Sequence, residues 1–143
     1  MKNKKIFAIS LIVGLITVVF FAGWVWNKKT NDTLEYARVL LRAGRYGTAI
    51  AILEGNPWLI RTGKNYALVY SLALTSKKIA NTSDFSELEE KIVKINIEKL
   101  EKRKLNGSET WELGFIYENL DNKEKALDCY VKVLNSNFVK GKR

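Results

Sequence analysis

The sequence predicts an all-α protein: a single N-terminal transmembrane helix followed by a short solenoid of about three helical hairpins. Three observations predict it. The run from Ile6 to Trp26 holds 21 residues without a charge, and at the helical rise it spans roughly 32 Å, enough to cross the hydrocarbon core of a bilayer. From Asn31 onward, apolar residues recur with helical period and are interrupted at turn-forming sequences. A single proline among 143 residues, with abundant Lys, Leu, Ile and Ala, leaves room for long helices.

Residues 1–5 form a basic tail whose Lys2, Lys4 and Lys5 meet phosphate headgroups. The transmembrane helix covers 6–26. Trp24 and Trp26 close it where indole rings settle at the headgroup level, and Lys28 and Lys29 follow. A cleaved signal peptide has an apolar core of only about 7–15 residues and small residues at the cleavage site. Here Val19-Phe20-Phe21-Ala22-Gly23 is bulky, so a retained anchor is expected. Ser10 and Gly14 make a small-xxx-small pair, read either as a helix contact or as ordinary lipid-facing residues. Basic residues flank the span on both sides and nearly cancel as an orientation signal. Moving a short, highly charged tail through a membrane is unfavourable, which favours a cytoplasmic N-terminus. The chain is then a single-pass protein with its C-terminal domain outside the cytoplasm, periplasmic on a bacterial inner membrane.

After a linker at 27–31, a helical domain is expected over 32–140, with a basic tail at 141–143. Its first helix runs about Asp32–Ala43 and stops at Gly44, read as left-handed. The second covers Tyr46–Glu54 and is ended by Gly55-Asn56-Pro57. The third is about Gly63–Lys77. In the fourth, Asp84 caps the start while Glu87 reaches back, and Phe85, Leu88, Ile92 and Ile95 share a face running to about Lys102. Asn106-Gly107 turns the chain into a fifth helix, Ser108–Leu120, and Lys123–Asn137 forms the sixth.

The formal charge of +9 divides unevenly. Residues 1–29 carry five lysines and no acid, so more than half of the charge flanks the apolar run. The remaining 19 Lys/Arg are interspersed with 15 Asp/Glu, a pattern of solvated helices that argues against a nucleic-acid partner. No histidine is present and Cys129 is the one cysteine, which removes the usual N/S metal sites, a Cys/His nucleophile pair and an internal disulfide. Cys129 is read as a small packing residue. With no converging carboxylate pair and no phosphate-cradling glycine loop, neither an enzyme nor a cofactor is expected.

Paired helices with short turns invite comparison at a 34-residue period. Leu113-Gly114, Tyr117, Ala126 and Tyr130 resemble the tetratricopeptide repeat in type and spacing, with Gly114 and Ala126 leaving space for close helix crossing. Trp111 lies one residue later than that family's tryptophan, and Asp121 stands where its turn glycine is usual. A shorter copy is carried by Ala37, Gly44-Arg45-Tyr46, Ala49 and Leu53, and a weak middle copy by Ala67 and Tyr70. The resemblance implies a membrane-anchored member of the family, whose first helices line a concave groove.

On that groove side fall Trp111 and Phe115, one helical turn apart, with Arg38 and Arg42 in the first repeat and Arg61 and Lys64 in the second. Two readings stand: a site for a peptide with apolar and acidic residues, or aromatics packed in the core against the fourth helix. A second candidate surface is the stripe Leu127, Val131, Leu134 and Phe138 on the sixth helix, offered to a partner protein or a second copy of the chain. The resulting expectation is a non-enzymatic interaction protein that helps assemble, stabilise or recruit other proteins of a membrane complex. Its alternatives are a permanent accessory subunit and a peptide-capturing targeting receptor. The lipid bilayer is the other partner.

Overall fold

The computed structural model describes the backbone of residues 2–57, 59, 63–81 and 86–140, with side chains described over 11–57, 59, 63–80 and 86–136. Among the described residues the protein has six helices and no strand: α1 Lys2–Arg42, α2 Tyr46–Gly55, α3 Lys64–Asn81, α4 Glu87–Glu101, α5 Gly107–Asn119 and α6 Lys123–Lys140.

The largest departure from expectation is α1. Residues 27–31, expected as a linker, are helical, and α1 runs 41 residues without a break, about 61 Å at the helical rise. Local chemistry accounts for it. The stretch Asn27-Lys28-Lys29-Thr30-Asn31 holds neither Gly nor Pro, Thr30 is buried, and Thr33 Oγ1 donates back to the Lys29 carbonyl at 2.9 Å. Among the described residues α1 is the one helix long and apolar enough to cross a membrane, and nothing in that apolar window is buried inside the protein. Trp24 and Trp26 are exposed, and Lys28 Nζ lies 5.7 Å from the Trp24 ring centroid. The side chains of Lys2, Lys4 and Lys5 lie outside the described residues.

Beyond Trp26, α1 becomes amphipathic. Leu34, Ala37, Leu40 and Leu41 are buried against α2 and α3. Gly44, at φ 71, reverses the chain as expected. Its neighbour α2 buries Ala49, Ile50 and Leu53 and ends at Gly55, where Asn56 is extended before Pro57. Central to the domain is α3, which packs on α1, α2, α4 and α5. Its Ala67, Leu68, Val69, Ala73 and Leu74 are buried, and so are Ser71 and Thr75. These two hydroxyls are satisfied: Asn96 Nδ2 donates to Ser71 Oγ at 3.2 Å, and Asn119 Nδ2 donates to Thr75 Oγ1 at 3.3 Å. Buried polar groups without such partners would cost about 1–3 kcal/mol each.

Two expectations for α4 are corrected. Its cap is not Asp84 with Glu87 but Ser86 with Glu89, two residues later: Glu89 N donates to Ser86 Oγ at 3.2 Å and Ser86 N to Glu89 Oε2 at 3.0 Å. Asp84 and Phe85 themselves lie outside the described residues. The buried face is Val93, Asn96, Ile97 and Leu100, while Leu88 and Ile95 are exposed and Ile92 is half-buried. The helix carries apolar residues on two stripes, and the hydrogen bond from Asn96 to Ser71 goes with the stripe that includes Val93 and Leu100.

A second capping box starts α5, where Glu109 N donates to Asn106 Oδ1 at 2.9 Å and Asn106 N to Glu109 Oε2 at 2.8 Å. The α5–α6 hairpin is closely packed around Gly114. A methyl group placed there would lie 2.7 Å from Tyr130 Cε1 and 3.1 Å from Cys129 Cβ, so the close crossing expected of Gly114 is present. Cys129 is buried, and burial raises its thiol pKa.

Candidate interaction groove

The helices α1, α3 and α5 lie side by side and in step. Lys64 at the start of α3 pairs with Glu109 at the start of α5, at 2.7 Å, while Thr75 meets Asn119 near their other ends. Across the same layer Arg38 of α1 bonds Glu112 of α5. Burial, partly offset by Glu35, lowers the Arg38 pKa, yet a guanidinium stays charged throughout the ordinary pH range. For Glu109, burial pushes the carboxyl upward. The Lys64 ammonium and the Asn106 N–H outweigh it and hold the group below its ordinary value.

Above this layer lies a groove of about 270 Å³, walled by Leu41 and Arg42 of α1, Tyr46 of α2, Leu72 and Ser76 of α3, and Trp111, Glu112 and Phe115 of α5. Trp111 and Phe115 are 50% and 43% exposed, so each ring presents about half of its surface. The Trp111 ring tilts against Tyr130 of α6, with centroids 4.5 Å apart, rather than against the fourth helix. Tyr130 is held in turn by its hydroxyl, which donates to Glu118 Oε2 at 2.7 Å; burial and that carboxylate raise its pKa to about 12. The second carboxylate oxygen of Glu112 is buried without a hydrogen-bond donor among the described residues, while its first is paired with the Arg38 guanidinium.

Of the six residues expected at this site, the structure brings Trp111, Phe115 and Arg42 into the lining of one groove. Arg38 and Lys64 are not among its lining residues and are engaged in the ion pairs above. Arg61 lies outside the described residues. Sequence reasoning missed Leu41, Tyr46, Leu72, Ser76 and Glu112. Only Tyr46 carried a signal, as the residue opening α2 after Gly44-Arg45.

On α6, Leu127, Val131 and Leu134 are 62%, 44% and 58% exposed, while Ala126 is buried and Tyr130 and Val133 are half-buried. The backbone of Phe138 continues α6, and its side chain lies outside the described residues. In comparisons with known proteins, no family model, no curated protein and no solved structure matches the chain.

Proposed function

We propose that this chain is a membrane-anchored, tetratricopeptide-like interaction protein that helps assemble, stabilise or recruit the partners of a membrane protein complex. The observation that carries the reading is the groove on the α1–α3–α5 layer, lined by two half-exposed aromatics of α5 and by Arg42 of α1. Aromatic surface and a cation in one groove suit an apolar peptide with an acidic residue, because aromatic side chains have few rotamers to lose on burial while the guanidinium fixes register. In this reading α1 holds the domain beside a bacterial inner membrane, with the short basic tail cytoplasmic and the domain periplasmic. The step-wise pairing of hairpins supports a three-hairpin repeat domain, as do Gly44, Gly114 and Ala126 at turn and crossing positions.

Replacing Trp111 and Phe115 with Ala tests this. After gentle detergent extraction the wild-type chain co-purifies with partner proteins, and the double variant loses them while keeping its helical circular dichroism. Retention of the same partners by the double variant would sink the groove.

A second reading, a permanent accessory subunit, is favoured by the exposed stripe on α6. Burying Leu127, Val131 and Leu134 elsewhere would contribute several kcal/mol. Val131→Glu with Leu134→Glu separates the two. A subunit loses fixed-stoichiometry association, whereas a groove-based adaptor keeps it.

A further inference from the structure

The connections between helices divide between two ends of the domain. Lys77 of α3 meets Glu89 of α4 while Ser71 meets Asn96, so α4 returns antiparallel to α3. Short turns fold α2 and α6 back in the same way. The α2–α3 and α4–α5 corners therefore lie at the end nearest the apolar half of α1. At that end Asn56 Nδ2 donates to Thr33 Oγ1 at 3.1 Å.

The height of the α4–α5 corner follows from the pairing of Arg38 with Glu112. Counting back equally along the parallel helices puts Asn106, the N-cap of α5, level with Asp32. Asp32 is six residues past Trp26, or about 9 Å along the axis. Just before Leu105 and Asn106 stand Lys102, Arg103 and Lys104, all exposed, with no acid between Glu101 and Glu109. Glu101 is held by Lys125 at 2.7 Å and by the Tyr117 hydroxyl at 2.5 Å. Lys28 and Lys29 stand on α1 between Trp26 and that level. Acids stand at both ends, Asp32, Glu54 and Glu98 at this one and Glu87, Glu89, Glu90, Glu118 and Asp121 at the other beside Arg42, Arg45, Lys77 and Lys78, but the run Lys102–Lys104 itself holds none.

The headgroup layer extends about 5–8 Å beyond the hydrocarbon core, and screening at physiological salt acts over about 8 Å. A cation cluster about 9 Å above the interfacial tryptophans thus stands within reach of lipid phosphates. We infer that the α4–α5 corner is a second membrane contact, in which Lys102, Arg103 and Lys104 dock on anionic headgroups of the bilayer that holds α1. This rests on α1 being a membrane anchor. The contact fixes the tilt of the domain over the bilayer, with the groove turned away from the lipid.

The test uses the full chain in nanodiscs of phosphatidylcholine alone or with about one third phosphatidylglycerol, read by hydrogen exchange at residues 101–107. Each cation near an anionic surface contributes roughly fivefold in binding, so exchange slows about tenfold or more in the anionic discs. The protection disappears in about 0.5 M salt, where screening is complete within a few ångströms, and in the variant Lys102→Gln, Arg103→Gln, Lys104→Gln. It persists in Lys77→Gln, Lys78→Gln at the far end. Equal exchange in the two lipids overturns the inference, as does protection that survives in the triple variant. Protection by inorganic phosphate over neutral discs overturns it too, by assigning the cluster to a free anion. A chain that enters neither disc breaks the anchor reading and this contact with it.

Discussion

The first hairpin, α1–α2, and the last, α5–α6, share one plan and differ in their surroundings. Their turns are the same. Arg45 N donates to the Leu40 carbonyl and Gly44 N to Leu41; Asn122 N donates to Tyr117 and Asp121 N to Glu118, all at 2.9–3.0 Å. The left-handed residue is Gly44 at φ 71 in one and Asp121 at φ 60 in the other. At matching positions stand Ala37 and Gly114, then Ala49 and Ala126, then Leu53 and Tyr130. The first hairpin is sealed by α3, so Leu53 is fully buried. The last is sealed on one side only, and there an amphipathic Tyr130 bridges Gly114, Trp111 and Glu118. The plan sets the turn and the crossing; the neighbours decide which large residue fills the crossing.

Four measurements sharpen or break that comparison. The largest effect belongs to Leu53→Ala, a fully buried side chain, which should cost about 2–5 kcal/mol; chemical unfolding of the domain in detergent reads it, and a loss under about 1 kcal/mol would mean that the first hairpin is not the sealed one. Next is Gly114→Ala. Its added methyl meets the Tyr130 ring at 2.7 Å, an overpacking cost of about 1–3 kcal/mol against a helix-propensity gain of about 1 kcal/mol. Adding Tyr130→Leu, which recreates the Ala37/Leu53 pairing, should recover most of the loss.

Third, exchanging the turn residues should act with opposite signs. Asp121→Gly should stabilise by up to about 1 kcal/mol and Gly44→Asp should destabilise by about as much, because a side chain is strained at positive φ. Equal signs would show that the two turns are not equivalent.

The smallest effect is in pH. Lys125 and the Tyr117 hydroxyl lower the Glu101 pKa, and Lys64 with Asn106 lowers that of Glu109. A depressed carboxyl contributes stability that is present above its unfolded value, near 4.5, and is lost as pH falls through the folded value. Both groups tie the α5–α6 hairpin to its neighbours. Hydrogen exchange between about pH 5 and 3 should therefore loosen α5 and α6 before α1 and α2, and Glu101→Gln should flatten the difference.

Much of the fold was legible because it is written locally. Gly44 before Arg45-Tyr46 marked one turn and Asn106-Gly107 another, and small residues at helical spacing marked the crossings. The failures were also local. The sequence carries the spacing of a capping box twice, at Asp84 with Glu87 and at Ser86 with Glu89, and the helix starts on the second. Two apolar stripes on α4 compete, and the buried one carries Asn96, whose partner Ser71 lies on another helix. The linker at 27–31 was inferred from a change of composition, although no helix breaker occurs there. At the groove, Trp111 and Phe115 were visible as a pair one turn apart. Arg38 and Lys64 were visible as cations, but their partners Glu112 and Glu109 are remote in sequence and no periodicity couples them.

The unbroken α1 has a mechanical consequence. A flexible joint would let the domain swivel freely above the lipid, whereas a continuous helix transmits tilt as a lever does. The groove beside Leu41 and Arg42 lies about 24 Å along the axis from Trp26. A tilt of about 20°, common for single spans, would carry it sideways by about 8 Å. If α1 spans a bilayer as proposed, whatever fixes its tilt, the α4–α5 contact included, also fixes how far to the side the groove is carried.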